Sequence, residues 1–160
     1  MIRKAKYSDI DCLSIIIYHA WRESLLDLVN LNVISKLSVD WFREKLEFDL
    51  TNHSCIVFVY EKNNEILGYV TGKDSIENMD AEIYGLYVSP KGQSSGIGSQ
   101  LFYKIKCKFA SINKSKMHVR TLLGAPNNQF YKKQKPVKTE NIELNILDVK
   151  HRGIEYSYQL

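Results

Sequence analysis

Long apolar runs are missing from this chain of 160 residues. The longest, residues 13–17 and 55–60, have the size of core segments and fall far short of the roughly 20 residues that a membrane-crossing helix needs. Cysteine is scarce: Cys12, Cys55 and Cys107 are odd in number and far apart, which argues against a disulfide framework, and each sits inside an apolar pattern, so buried free thiols are expected. The four histidines, His19, His53, His118 and His151, show no metal-ligand spacing, so no metal is expected. Charge of one sign is also scarce. A net +4 is too small for the heavy basic face of a typical nucleic-acid binder, so neither nucleic acid nor membrane is expected as a partner. The opening residues Met1-Ile2-Arg3-Lys4-Ala5-Lys6 lack the apolar core of a secretory signal, which makes the cytoplasm the expected compartment. There are no internal repeats or low-complexity tracts.

What is present is the balance of a globular domain, 44% hydrophobic and 25% charged, and at this length one domain over residues 1–160 is expected. A short strand at residues 2–6 leads to Ser8-Asp9-Ile10-Asp11, which reads as a capping box with Asp in place of Glu. A long helix follows, with Ile10, Leu13, Ile16, Ile17, Ala20, Trp21 and Leu25 on one face. Residues 30–36 read as a connection, and Ser38 as the N-cap of a second helix carrying Trp41, Phe42, Leu46 and Leu50. After Asn52 the pattern changes to strands. Residues 55–61 and 65–73 should form a hairpin about Asn63-Asn64, because Asn tolerates the left-handed backbone of a tight turn.

A third strand spans residues 80–88, where Gly85 marks a bulge, a close approach by a ligand, or a packing gap beside bulky neighbours. From Gly96 a helix should carry Ile97, Leu101, Ile105, Phe109 and Ile112 on one stripe. Strand 117–123, a short helix 127–134, and two strands, 140–149 and 154–159, joined around His151-Arg152-Gly153, complete the order βααβββαβαββ. That order predicts an α+β fold: a mixed, mostly antiparallel sheet with one parallel pair and helices on both faces.

The stretch Leu86-Tyr87-Val88-Ser89-Pro90-Lys91-Gly92-Gln93-Ser94-Ser95-Gly96-Ile97-Gly98-Ser99 is a strand, a turn and glycines opening a helix. Backbone N–H groups gathered in such a turn, with the positive end of a helix dipole, make an anion site that glycine leaves open. A Walker A loop fails because Ser99 and Gln100, not Lys, follow Gly98. A dinucleotide fingerprint is weak because Leu101 stands where its third glycine belongs. Lys104, Lys106 and Lys108, with Lys132, Lys133, Lys135 and Lys138, form either solvated faces or an attraction for a polyphosphate ligand.

The remaining pattern, Val88-x-Pro90-x-x-Gln93-x-x-Gly96-x-Gly98, resembles motif A of the GNAT superfamily of N-acetyltransferases, and Phe130-Tyr131 resembles its Phe-Tyr motif. The likeness in element order runs over nearly the whole chain. It implies acetyl-CoA as donor and a primary amine, of a small molecule or a peptide, as acceptor. It also implies that the backbone amides of Gln93, Ser94, Ser95, Gly96, Ile97, Gly98 and Ser99 bind the pyrophosphate, and that Leu86, Tyr87 and Val88 bind the pantetheine, with the Val88 N–H on the thioester carbonyl. Tyr131 would protonate the departing thiolate; its plain alternative is an amphipathic core tyrosine. Glu82, eleven positions before Gln93, resembles the base of the histone-acetylating branch. Its alternatives are a surface strand glutamate, with ordered water as the base.

Two departures stand beside the match. Gly124-Ala125-Pro126-Asn127 replaces the family's Asn-x-x-Ala, and Lys135-Pro136 its Gly-Phe. Asn127 or Asn128 could supply the missing contact to the pantetheine, or serve as a helix N-cap. Trp21, Glu23, Asp27 and Trp41 are acceptor candidates, since aromatic faces and carboxylates suit a cationic amine. A non-catalytic acyl-CoA sensor of the same fold is the alternative function, and a polyanion-binding module using the lysines is a weaker one. Exposed sheet edges make a homodimer reasonable.

Overall fold

A computed structural model describes residues 1–74 and 80–160. Among the described residues the elements run β1 (Ile2–Lys4), α1 (Ile10–Ser24), α2 (Leu31–Ile34), α3 (Val39–Thr51), β2 (Cys55–Lys62), β3 (Glu65–Asp74), β4 (Asp80–Val88), α4 (Ile97–Ser111), β5 (Lys116–Leu122), α5 (Asn128–Lys133), β6 (Lys138–Ile146) and β7 (Val149–Gln159). The strands form one sheet in the order β1-β2-β3-β4-β5-β7-β6. Among the described residues only β4 and β5 pair in parallel; the other pairs run antiparallel. The expected α+β architecture is the one found.

Each sheet face carries its own core. On one, Leu101, Ile105 and Phe109 of α4 pack with Ala81, Ile83, Met117 and Val119, and Tyr131 of α5 joins them. On the other, Ile10, Leu13 and Ile17 of α1 and Phe42 and Leu46 of α3 cover Val57, Val59 and Tyr69. Contacts between α1 or α3 and the sheet fall on β2, β3 and β4. Over β5, β7 and β6 that second face is covered only at one end, where Leu25, Val29 and Val33 meet Leu122 and Ala125.

The local signals that held are those with a backbone mechanism. Asn63 and Asn64 take φ of 53° and 61° at the β2–β3 turn. The Ser38 hydroxyl accepts the Trp41 N–H at 3.0 Å and starts α3. Four expectations are corrected. Ser8 does not cap α1; it lies in a 3-10 turn, and Asp9 turns its carboxylate to the Lys6 N–H and the Arg3 guanidinium. Residues 30–36 contain α2, whose N-terminus is held by the Asn30 side chain accepting from the Asn32 N–H. The β6–β7 turn is at Leu147-Asp148, with φ of 47° and 64°, so His151, Arg152 and Gly153 lie within β7. The Leu144 side chain fills the space over Gly153. Finally, Cys12 and Cys107 are exposed and Cys55 half-buried, all as free thiols. Cys107 follows Ile105 by two residues, about 200° around α4, which turns it away from the buried stripe.

Candidate active site

The site is organised by an irregularity in β4. Thr71 pairs with Gly85 and Gly72 with Ile83, so Tyr84 is an extra residue that bulges the strand. A β-carbon at Gly85 would come within 2.8 Å of Tyr69 Oη and Thr71 Cγ2, so the position serves both the bulge and close packing. From the bulge onward β4 parts from β5. Their parallel pairing runs from Asp80↔Lys116 to Ile83↔Val119 and stops, although β4 continues to Val88 and β5 to Leu122.

The parting leaves main-chain groups without a neighbouring strand. The Ser89 N–H bonds the Leu67 carbonyl across to β3 at 2.8 Å. N–H directions alternate along a strand, so those of Leu86 and Val88 point to the opposite, open edge. The Val88 carbonyl on that edge accepts from Gln93 Nε2 at 3.4 Å.

The glycine loop follows directly. A 3-10 turn at Pro90–Gly92 ends in extended Gln93, after which Ser94 and Gly96 adopt φ of 60° and 79° before α4 begins at Ile97. Among the described residues, the amides of Ser94, Ser95, Gly96, Ile97, Gly98 and Ser99 bond no backbone acceptor; that of Gln100 is the first to do so, on the Gly96 carbonyl. Phe130 and Val88 lie 3.4–3.7 Å from where a Gly98 β-carbon would stand, so the loop abuts both α5 and the end of β4. Lys108 lies eleven residues into α4, about 16 Å along its axis, so the α4 lysines do not cluster at this loop.

Below the loop a cavity of about 730 Å³ fills the gap between β4 and β5. Of the residues singled out from sequence, it brings together Glu82, Leu86, Tyr87, Asn127, Tyr131, Trp21 and Trp41. Val88 and residues 93–99 flank it without lining it, and Glu23 and Asp27 are exposed outside it. Tyr131 is 4% exposed, wedged between Phe130 and Tyr156, and burial pushes its phenol well above the usual range. Tyr87 stacks on Tyr69 and accepts a 2.7 Å hydrogen bond from the Trp21 indole. Burial raises the Tyr87 phenol to about 12, against the lowering effect of that bond.

Glu82 lies at the last paired stretch of β4, 3.7 Å from Arg120 across on β5. Arg120 also holds Glu155 at 2.7 Å, and His118 sits between Asp80 at 3.0 Å and Glu155 at 3.5 Å. Arg120 and Glu155 went unremarked in the sequence; their signal is charge alternating with apolar residues on strands, which is also how any solvated face reads. Neither the Asn127 nor the Asn128 side chain caps α5. Asn127 accepts from the Thr121 hydroxyl at 3.1 Å. Asn128 is buried: its amide donates to the Leu122 carbonyl at 3.0 Å and its oxygen accepts from the Tyr156 hydroxyl at 3.2 Å. Among the described residues no cluster of His, Cys, Asp or Glu could hold a metal ion, and no helix is long and apolar enough to cross a membrane.

Comparison with known proteins gives a consistent picture. The family model described as an acetyltransferase (GNAT) domain matches residues 53–134. Among solved structures, a ribosomal-protein-alanine N-acetyltransferase from Brucella melitensis superposes with a TM-score of 0.76 at 16% identity, covering 100% of this chain and 99% of that one. The PaiA N-acetyltransferase from Thermoplasma acidophilum, in complex with coenzyme A, gives 0.75 at 16% identity over 99% and 98%. An aminoglycoside 6'-N-acetyltransferase complexed with coenzyme A gives 0.74 at 15% over 99% and 96%. At these identities the structural likeness is one of fold. No curated protein matches the sequence.

Proposed function

The chain belongs to the GNAT acetyltransferase family, and from that premise we propose that residues 1–160 act as one acetyl-CoA-dependent N-acetyltransferase domain whose acceptor is a primary amine of a small molecule or peptide. The observation that carries the reading is the parting of β4 from β5 beside a run of unbonded amides. The two features together offer hydrogen bonds to an elongated ligand with an anionic end. Gly96 fits such a ligand, since it is exposed and no side chain stands between its amide and solvent.

In this proposal acetyl-CoA supplies an activated acyl group. The amides of Ser94, Ser95, Gly96, Ile97, Gly98 and Ser99 hold its pyrophosphate, whereas the Gln93 N–H, expected from the motif to join them, is already bonded to the Ser89 carbonyl at 3.1 Å; the backbone of Leu86, Tyr87 and Val88 aligns the pantetheine along the open edge of β4. The Val88 N–H is directed at the thioester carbonyl, where developing negative charge is best stabilised by a fixed donor. Tyr131, raised by burial and therefore protonated at neutral pH, donates its proton to the leaving sulfur. An alkyl amine is neutral in only about one molecule in a few thousand at pH 7. Glu82, directly or through ordered water, receives the proton the amine must lose, with Arg120 fixing the carboxylate from across the cleft. Asn127, which lines the cavity, contacts the pantetheine in this reading.

The test is thermal unfolding with acetyl-CoA, with ATP and NAD at matched ionic strength as controls. Ligand at about a hundred times its Kd adds about 2.7 kcal/mol, a rise of about 5–10 °C for a chain of this size. A selective rise followed by turnover in an amine screen supports the proposal; equal shifts with all three ligands refute it. The sensor reading draws on the Arg120–Glu82 ion pair, which occupies the proposed base, and it requires a selective shift with no turnover of any amine.

A further inference from the structure

Beside the large cavity lies a second of about 60 Å³, walled by Trp21, Trp41, Phe42, Tyr69, Tyr84 and Tyr87, with Asp49 among its lining residues. It shares Trp21, Trp41, Lys45, Tyr84 and Tyr87 with the large cavity, so the two adjoin. Asp49 comes from α3 and is 2% exposed. Its Oδ2 is buried without a hydrogen-bond partner, as is the Thr71 hydroxyl. Burial pushes the carboxyl up, opposed first by the Lys45 ammonium; the Cys55 thiol lies 3.9 Å from Oδ1, the other carboxylate oxygen. Buried carboxylates are ordinarily fully bonded, because an orphaned acceptor costs stability. An acid kept in this condition inside an aromatic box has the composition of a cation site.

The resident cation points the same way. Lys45 Nζ lies 4.6 Å above the Tyr84 ring and 3.8 Å from Asp49 Oδ1, too far for a hydrogen bond, and its side chain is 42% exposed. An ammonium is therefore already drawn to the mouth of the pocket and leaves Oδ2 free. The space suits an ammonium head with its adjoining methylene, since a water molecule takes about 30 Å³ in the liquid. Carboxylate and ring faces both favour the charged form of an amine. A nitrogen held here cannot be the nucleophile, which must be neutral.

We propose that the acceptor is a compact aliphatic diamine or polyamine: one nitrogen sits as an ammonium on Asp49 within the aromatic pocket, and the other enters the large cavity beside β4 and is acetylated. This rests on the N-acetyltransferase reading, but the pocket can be tested without turnover. Trp21 and Trp41 are the chain's two tryptophans and both line it, so intrinsic fluorescence reports its occupancy. The full chain is titrated with diaminobutane at constant ionic strength, with butanediol as the uncharged control.

The expected result is a saturable fluorescence change with the diamine alone, weakened at least about tenfold by Asp49→Asn and tightened by Lys45→Met, which removes the competing cation. Asp49→Asn is also expected to keep or raise the melting temperature, because it removes a buried carboxylate whose Oδ2 has no hydrogen-bond partner. A purely structural Asp49 predicts the reverse, lower stability with unchanged amine binding. No saturable change in the wild type, equal affinity in Asp49→Asn, or weaker binding in Lys45→Met overturns the proposal. Any of these alongside an acetyl-CoA-selective thermal shift removes the diamine site and leaves the acetyltransferase reading intact. Amine binding without that shift does the opposite.

Discussion

Replacing Asn128 by alanine isolates the contact that fixes α5 against the sheet. Asn128 bridges the Leu122 carbonyl at 3.0 Å and the Tyr156 hydroxyl at 3.2 Å, and Tyr156 is fully buried. Truncation to Ala therefore orphans the Tyr156 hydroxyl where water cannot reach it, while the Leu122 carbonyl keeps the Ala125 N–H at 3.2 Å. At about 1–3 kcal/mol for the orphaned hydroxyl and about 1 kcal/mol for the lost bond to Leu122, the loss should be about 2–4 kcal/mol. For a chain of this size that is a fall in Tm of about 5–15 °C. Urea unfolding followed by circular dichroism measures it. Tyr156→Phe removes the other end of one bond, so the double variant should lose less than the sum of the two singles, by about 1 kcal/mol. Tyr131 lies one turn further along α5, so activity should fall with stability. A loss below about 1 kcal/mol, or strict additivity with Tyr156→Phe, would refute the view that buried partner satisfaction holds this helix.

Tyr131→Phe keeps the ring packed against Phe130 and Tyr156, so Tm should move little while kcat falls about a hundredfold or more; a kcat within about threefold of wild type, measured by thiol release, removes the proposed acid. Gly96→Ala forces a side chain onto a backbone at φ of 79°, at a cost of about 1–2 kcal/mol. It should also weaken acetyl-CoA at least about tenfold by calorimetry, and unaltered binding would move the pyrophosphate away from this loop. The Arg3 guanidinium and then the Lys6 N–H hold Asp9 below the usual carboxylate range. Its contribution is therefore present above about pH 4 and lost as pH falls through the lowered folded value. The stability gap between wild type and Asp9→Asn should be about 1–3 kcal/mol at neutral pH and shrink in acid; a gap independent of pH contradicts the assignment.

How much of this was legible in the chain depends on where each signal resides. The glycine loop, the Asn63-Asn64 turn and the Ser38 cap are set by a few adjacent residues whose backbone chemistry is nearly context-free, and all three were readable. Gly85 left a bulge, a ligand approach and a packing gap open, and the strand shows both the bulge and the close packing. The β6–β7 turn was missed because Leu147 adopts a left-handed backbone that its side chain does not advertise, whereas Gly153 looked like a turn and is a strand residue that accommodates Leu144. Asp49 was overlooked among the polar residues of α3. Yet Phe42, Leu46 and Asp49 fall on one face, and a charge where the period asks for an apolar residue is a signal. The cavity itself has no local signature: it exists because two strands part after Val119, a decision taken by helices and strands distant in sequence.

That parting also has a mechanical side. The sheet is two leaves, β1 to β4 and β5 with β7 and β6, joined by the four residue pairs from Asp80↔Lys116 to Ile83↔Val119. By lever geometry, a rotation about so short a seam would change the width of the cleft much more at Val88 than at Ile83. Glu82 lies on the seam itself, whereas Val88 and the glycine loop lie at the far end of one leaf. The width of the cleft thus depends on four residue pairs and on the core packed across them. Substitutions at Ala81 and Met117, seam residues that do not line the cavity, are where that width would be tuned.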